Sequence, residues 1–190
     1  LVVNPYYNKP TQEGLFQHFK IVSESVNIPV ILYNIKGRTA VNLETSTLLR
    51  LTKIKNIVAV KEASGELSQM MDVIDKTDNN FNTLSGDDAL TYPLITLGGD
   101  GVVSVLSNIL PKEMKELVDN SLNGNFTKAK EMHYKLLPLM NSMFIETNPI
   151  PCKTILSLQG IIKENFRLPM CQMSESNKTK LQEIWQLDTN

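Results

Sequence analysis

Short apolar runs alternate with amphipathic stretches from residue 1 to about residue 123, and this alternation limits the possible folds more than any other feature. The apolar runs begin roughly 20 to 30 residues apart, which is the length of one strand followed by one helix. Because a connecting helix returns the chain so that successive strands run in the same direction, the pattern predicts a parallel sheet covered by helices. The predicted strands are residues 1–3, 28–32, 57–60, 81–84 and 101–105.

Amphipathic stretches supply the predicted helices. In residues 11–25, for example, Leu15, Phe16 and Phe19 fall on one helical face. No strand is predicted after Gly124, and three further helices follow it. We therefore divide the sequence into residues 1–123, with five strand-helix units, and a C-terminal helical extension at residues 124–190. The predicted helices are residues 11–25, 44–52, 67–76, 88–97, 111–122, 126–144, 150–158 and 174–186.

Two architectures accommodate five strand-helix units: an open doubly wound sheet and part of an eight-stranded barrel. A dinucleotide-binding sheet carries a glycine-rich loop after its first strand, whereas residues 4–10 contain no glycine. The glycines at positions 98, 99 and 101 precede a strand, where they indicate a tight turn. The pattern therefore favours a barrel. Residues 1–3 resemble a strand without a preceding turn, so we expect the chain to be a fragment that lacks the opening strands.

Composition narrows the class of partners. With 42% hydrophobic residues, 21% charged residues and a net charge of −1, the sequence is typical of a globular protein. Neither nucleic acid nor membrane is expected as a partner, because basic residues do not cluster and no apolar stretch is long enough to span a bilayer. The two cysteines match no metal-ligand spacing, which favours a reducing, cytoplasmic compartment.

Lys61 ends the apolar run at residues 57–60, where a parallel α/β protein carries its chemistry. Burial there would lower the lysine pKa and leave a neutral, nucleophilic amine. The alternative is a lysine that extends its ammonium group into solvent. This segment alone does not separate the two interpretations.

Other polar residues follow the remaining strands and join Lys61 at the same predicted edge. An amine beside tyrosines and an arginine suits Schiff-base chemistry on a keto acid, with a phenol moving protons and a guanidinium gripping a carboxylate. These residues are Tyr6, Tyr7, Tyr33, Arg38, residues 85–88 and Ser104.

Each of these residues also has a structural interpretation. Tyr33 fits a core position, Arg38 fits a solvated loop, and Asp87 with Asp88 fits a helix cap. No third ligand accompanies the two aspartates, so no metal site is predicted. His18 and His133 lie in predicted helices without a catalytic partner, and we expect both at the surface.

Six strings share their order and spacing with one known family. They are Pro5-Tyr6-Tyr7-Asn8-Lys9-Pro10, Leu32-Tyr33-Asn34, Gly37-Arg38-Thr39, Val60-Lys61-Glu62-Ala63-Ser64-Gly65, Ser85-Gly86-Asp87-Asp88 and Asn148-Pro149-Ile150-Pro151. Over essentially its whole length the sequence resembles the dihydrodipicolinate synthase family of pyruvate-dependent class I aldolases. The resemblance implies a (β/α)8 TIM barrel, here strands 4 to 8, with a C-terminal helical extension. It also implies condensation of pyruvate with aspartate semialdehyde on the route to lysine.

The resemblance assigns roles to individual positions. Lys61 matches the Schiff-base lysine, so the intermediate is a covalent imine with pyruvate and no cofactor is expected. Tyr33 matches the proton-relaying tyrosine, and Arg38 matches the arginine that holds the semialdehyde carboxylate. The remaining matches are Gly86 and Val103 at the pyruvate pocket, Tyr7 reaching across a dimer interface, and Tyr6 at that interface, next to the lysine-inhibitor site of feedback-regulated members.

The resemblance also sets expectations for the chain as a whole. It implies a homo-oligomer, a dimer or a tetramer, in the full-length form. Family members carry about three further strand-helix units before the matched region, including a threonine pair, so we expect the isolated chain to be inactive or nearly so. Two alternatives stay open: a related aldolase such as N-acetylneuraminate lyase, and a non-catalytic truncated product. The Gly37-Arg38-Thr39 string favours the synthase over the lyase.

Overall fold

Five parallel strands form one sheet in the computed structural model of the chain, which describes residues 1–189 and the side chains of residues 1–186. Their order in the sheet is their order in the sequence, β1-β2-β3-β4-β5. This arrangement confirms the predicted α/β class, since sequential parallel neighbours are what successive strand-helix units of a barrel produce. The strands are β1 (Val2–Val3), β2 (Val30–Asn34), β3 (Ile57–Glu62), β4 (Asn82–Ser85) and β5 (Gly101–Val102).

Helices connect these strands within a first compact unit, Leu1–Val103. The helix Lys36–Thr39 was not predicted, because a single turn of four residues carries no apolar periodicity. The predicted helix at residues 88–97 divides into a 3-10 turn, Asp88–Leu90, and an α-helix. The helices of this unit are α1 (Gln12–Glu24), α2 (Lys36–Thr39), α3 (Thr45–Leu51), α4 (Leu67–Lys76) and α5 (Thr91–Thr96).

Apolar side chains of α1 and α3 cover one face of the sheet. Leu15 and Phe19, one helical turn apart, are completely buried, as is Leu32 on β2. Burying a side chain such as that of Phe19 stabilises the fold by about 1.5–3 kcal/mol. The Thr11 side chain begins α1 by accepting a hydrogen bond from the Gly14 N–H at 3.2 Å. This packing therefore holds the strands in place. Side chains at the strand ends and on the opposite face of the sheet remain available for a site.

The second compact unit, Ser104–Asn190, is helical in its described part. Its helices are α6 (Pro111–Leu122), α7 (Phe126–Ser142), α8 (Ile150–Leu158) and α9 (Glu175–Thr189), with a 3-10 turn at Leu106–Asn108. The two units divide before α6, whereas the predicted extension begins after it, so the division of the barrel from its extension stays a prediction. Among the described residues, no helix is both long enough and apolar enough to cross a lipid bilayer.

Two local expectations were wrong. His133 is buried in α7 rather than at the surface, because it lies on the same face as Ala129 and Leu136, whereas His18 is exposed as expected. Glu62 lies beyond the predicted strand at residues 57–60, yet it is the last residue of β3 and is buried. A carboxylate tolerates that position only when hydrogen-bond donors surround it, and the sequence pattern does not show such donors.

Candidate active site

Tyr33 and Lys61 are direct neighbours on adjacent strands. In the register of the sheet Val3 pairs with Tyr33, Tyr33 with Lys61, and Lys61 with Leu84. Paired residues of adjacent parallel strands project from the same face of a sheet, while the residues before and after them project from the other face. The pairing therefore brings the phenol and the amine together near the carboxyl ends of β2 and β3, as the sequence predicts.

The Lys61 amine lies over the ring of Tyr33. Its Nζ is 4.1 Å from the ring centroid, within the range of a cation–π contact when the amine is protonated. Both side chains are partly buried. This geometry favours the buried nucleophile over a lysine that extends into solvent, because the amine packs against a neighbouring strand.

Burial changes the protonation of both groups. It lowers the pKa of Lys61; the nearby Asp88 carboxylate opposes this shift and the Arg38 guanidinium adds to it. Burial also raises the pKa of Tyr33, against the influence of Arg38. At neutral pH a larger fraction of Lys61 is therefore a neutral amine than for a surface lysine, while Tyr33 keeps its proton. A candidate nucleophile thus lies against the ring of a tyrosine that keeps its proton.

Gly86 supplies the space that the Lys61 side chain occupies. Its N–H donates to the Glu62 carbonyl at 2.8 Å, which holds the loop after β4 close to β3. A Cβ at this position would lie 2.6 Å from the Ala63 Cβ and 3.0 Å from the Lys61 Cε. Only glycine fits this backbone without displacing a neighbour, so Gly86 leaves the space that Lys61 needs. Its place at a pyruvate pocket stays a prediction.

Arg38, Tyr6 and Tyr33 line one open cavity of about 400 Å³. Arg38 lies on α2, whose preceding residue Ile35 accepts the N–H groups of both Arg38 and Thr39 at 3.1 Å. This turn places Arg38 at the edge of the cavity. The other lining residues are Leu1, Val3, Ile35 and Thr39.

Among the described residues, no hydrogen bond or ring contact joins Tyr7 or Val103 to Lys61 or Tyr33. Tyr7 is 89% exposed. Val103 donates its N–H to the Ser85 carbonyl at 2.8 Å and so extends the pairing of β5 with β4 by one residue. The roles of both residues stay predictions.

The two adjacent aspartates have different positions. Asp87 caps the 3-10 turn, as predicted, by accepting the Ala89 N–H at 2.9 Å, and burial raises the pKa of its carboxyl group. Asp88 is buried and acts electrostatically on Lys61, which the sequence did not indicate. In the described part of the chain, no three His, Cys, Asp or Glu side chains are grouped so that they could hold a metal ion.

Sequence reasoning also missed a cluster of buried polar side chains next to Lys61 and Tyr33 in the sequence. Asn34 follows Tyr33 and Glu62 follows Lys61, and both side chains are almost completely buried. The available signal was a polar residue directly after each candidate catalytic residue. Sequence alone does not distinguish such residues from solvated loop residues.

Comparison with known proteins agrees with the geometry. The Dihydrodipicolinate synthetase family model matches residues 1–187. A 4-hydroxy-tetrahydrodipicolinate synthase of Koribacter versatilis is 54% identical over 184 residues, which are 97% of this chain. The dihydrodipicolinate synthase structure from Aquifex aeolicus covers 99% of the chain with 45% identity and a TM-score of 0.97. The chloride-inhibited synthase of Acinetobacter baumannii, solved in complex with pyruvate, covers 98% of the chain with 41% identity and a TM-score of 0.96.

The chain spans 61% of the length of the Koribacter protein and 64% of each of these two structures. The family model matches nearly every residue of the chain. The chain also has the same fold as the related structure from Aquifex aeolicus. This chain therefore belongs to the dihydrodipicolinate synthetase family.

Proposed function

We propose that this chain carries the Schiff-base residues of a 4-hydroxy-tetrahydrodipicolinate synthase, in which Lys61 forms an imine with pyruvate and the resulting enamine attacks L-aspartate 4-semialdehyde. The observation that carries the proposal is the partly buried Lys61 amine, 4.1 Å from the Tyr33 ring centroid, with its pKa lowered by burial. The names of relatives about half identical in sequence support the same reaction, and one related structure contains pyruvate.

The proposed reaction begins with the neutral Lys61 amine, which adds to the keto carbon of pyruvate and gives a carbinolamine. Loss of water leaves a protonated imine. Removal of a methyl proton then forms an enamine, whose carbon bonds to the aldehyde carbon of the second substrate. Tyr33 is suited to move the protons of these steps, because its hydroxyl keeps its proton at neutral pH and its ring lies against the amine.

Arg38 is the proposed anchor for the carboxylate of the semialdehyde. It lines the cavity next to Tyr33, and a guanidinium can grip a carboxylate with two parallel hydrogen bonds. The proposed chemistry requires neither a metal nor an organic cofactor, since the protonated imine itself accepts the electron pair released when the methyl proton leaves.

Exposed aromatic side chains support a further proposal, that a second copy of the chain packs against Tyr6 and Tyr7. These side chains are 71% and 89% exposed, far more than is usual for large aromatic residues. Light scattering would test the proposal: we expect the double substitution Tyr6→Ser with Tyr7→Ser to lower the measured mass. An unchanged oligomer would contradict it.

Imine trapping tests the catalytic proposal. The chain is incubated with pyruvate and sodium borohydride, and the labelled peptide is identified by mass spectrometry. We expect one reduced pyruvate on Lys61 and no adduct in Lys61→Met, while Lys36→Met, which removes an exposed lysine from α2, traps normally. An adduct on other lysines, or none in the unmodified chain, would contradict the proposal.

A further inference from the structure

Buried polar side chains join the carboxyl ends of three strands directly beside the candidate catalytic residues. Asn4, Asn34 and Glu62 follow β1 or end β2 and β3, and each is at most 1% exposed. The Asn4 Nδ2 donates to the Asn34 Oδ1 at 3.0 Å, and the Asn34 Nδ2 donates to the Glu62 Oε2 at 3.0 Å. Asn34 and Glu62 are also paired in the strand register, so the second bond crosses between β2 and β3 one residue beyond Tyr33 and Lys61.

Glu62 accepts hydrogen bonds on both carboxylate oxygens. Its Oε1 accepts the Ser64 N–H at 2.7 Å, and its Oε2 accepts the amides of Asn34 at 3.0 Å and Gln69 at 3.2 Å. A buried carboxylate is tolerated only with such donors around it. Glutamine has the same shape but only one accepting oxygen, so in either orientation its NH2 group would face a donor.

The Asn34 amide also holds the segment that carries Arg38. Its Oδ1 accepts the Leu43 N–H at 2.9 Å, just after α2. In the same segment, the Val41 carbonyl accepts from the Asn4 Nδ2 at 3.2 Å and from the Thr39 hydroxyl at 3.0 Å. Tyr33, Lys61 and the turn that bears Arg38 are therefore all tied to one buried network.

We propose that Asn34 and Glu62 are positioning residues, whose cross-strand hydrogen bond holds the Lys61 amine against the Tyr33 ring and fixes the adjoining Arg38 segment. The proposal rests on the proposed function and extends it to Asn34 and Glu62, which do not line the cavity of Tyr33 and Arg38. Two features distinguish this role from general support of the core. The bond lies one residue from each reacting side chain, and the Glu62 carbonyl also accepts the Gly86 N–H that sets the space around Lys61.

The test substitution is Glu62→Gln, which keeps the shape of the side chain and removes one acceptor. We expect the rate of borohydride trapping of pyruvate to fall about tenfold or more, since small displacements of a reacting group have effects of this size or larger. We also expect the pH midpoint of Lys61 reactivity to rise toward that of an ordinary lysine as the amine becomes more solvated. A purely structural role would lower the thermal midpoint of unfolding without moving this pH midpoint.

Two variants provide the matched comparison. Ser23→Ala removes a partly buried hydrogen bond of 2.8 Å to the Lys20 carbonyl in α1 of the same unit. We expect this variant to keep both the trapping rate and the pH midpoint of Lys61 reactivity. Asn34→Asp combined with Glu62→Gln reverses the direction of the cross-strand hydrogen bond. We expect this double variant to recover part of the lost rate, whereas Asn34→Asp alone places two carboxylates together and should trap most slowly.

The outcomes separate the positioning role from the proposed function. If the unmodified chain traps no pyruvate, acetylation of Lys61 by acetic anhydride across pH still measures the pH midpoint without any substrate. If Glu62→Gln does not fold, Gln69→Met removes one of the three donors and should shift the midpoint in the same direction by less. A folded Glu62→Gln with unchanged trapping rate and unchanged midpoint would overturn the proposal, as would an unshifted midpoint in Gln69→Met.

Discussion

Gly86→Ala tests whether the close approach of the loop after β4 to Lys61 is part of the site. The added Cβ would lie 2.6 Å from the Ala63 Cβ, 3.0 Å from the Lys61 Cε and 3.2 Å from the Glu62 carbonyl oxygen. Carbon atoms prefer separations of about 3.5–4.0 Å, so the first contact alone requires a movement of roughly 1 Å. The loop or the lysine must move, and the lysine has the more flexible side chain.

The magnitude follows from these contacts. Overpacking of this kind destabilises a protein by about 1–3 kcal/mol. For a chain of this size that corresponds to a decrease of roughly 2–12 °C in the thermal midpoint. If Lys61 moves away from Tyr33 by a few tenths of an ångström or more, the rate of imine trapping should fall about 10- to 100-fold.

The assay combines thermal unfolding with borohydride trapping of pyruvate on the same preparations. Gly37→Ala is the matched control, because a Cβ at Gly37 meets no atom within 4 Å and the residue lies on α2 beside Arg38. Adding Ala63→Gly to Gly86→Ala removes the 2.6 Å contact but leaves the 3.0 Å contact with Lys61. We expect this double variant to regain stability while its trapping stays slow.

The reasoning would be refuted if Gly86→Ala matched Gly37→Ala in both thermal midpoint and trapping rate. It would also be refuted if relief of the Ala63 contact restored the trapping rate completely, because the effect would then come from the loop and not from the space around Lys61.

Two further predictions concern charge and pH. Asp88→Asn removes the carboxylate that raises the pKa of Lys61, so the midpoint of Lys61 acetylation against pH should fall; a midpoint that rises or stays constant would contradict the assignment. Burial lowers the pKa of His133, so the unfolded state binds the proton more readily than the folded state. The stabilising contribution of the neutral His133 is therefore complete above its unfolded pKa of about 6.5 and is lost as the pH falls toward its lower folded pKa. Between pH 7 and pH 5, the thermal midpoint of unfolding should decrease less in His133→Gln than in the unmodified chain. Equal decreases of the midpoint would contradict this prediction.

Local patterns in the sequence were sufficient for the architecture. The strand-helix alternation predicted the parallel sheet. Strands and helices are recognisable in the sequence because each must bury apolar residues, and the spacing of those residues differs between the two. The positions of Tyr33 and Lys61 near strand ends followed from the same pattern, and Asp87 was predicted as a cap from its place before a helical turn. These features depend on residues close together in the chain, which is why a single sequence contains them.

Long-range contacts decided the chemistry of the site. Lys61 and Tyr33 are 28 residues apart, as are Asn34 and Glu62, and only the register of β2 with β3 brings each pair together. The lowered pKa of Lys61, the confined space at Gly86 and the burial of Glu62 all depend on atoms from several strands at once. The sequence alone thus determined the five strands, most of the helices and the approximate places where the strands end. The tertiary structure decided which of those residues meet and how strongly burial perturbs them, because desolvation and hydrogen bonding depend on the packing of the whole sheet.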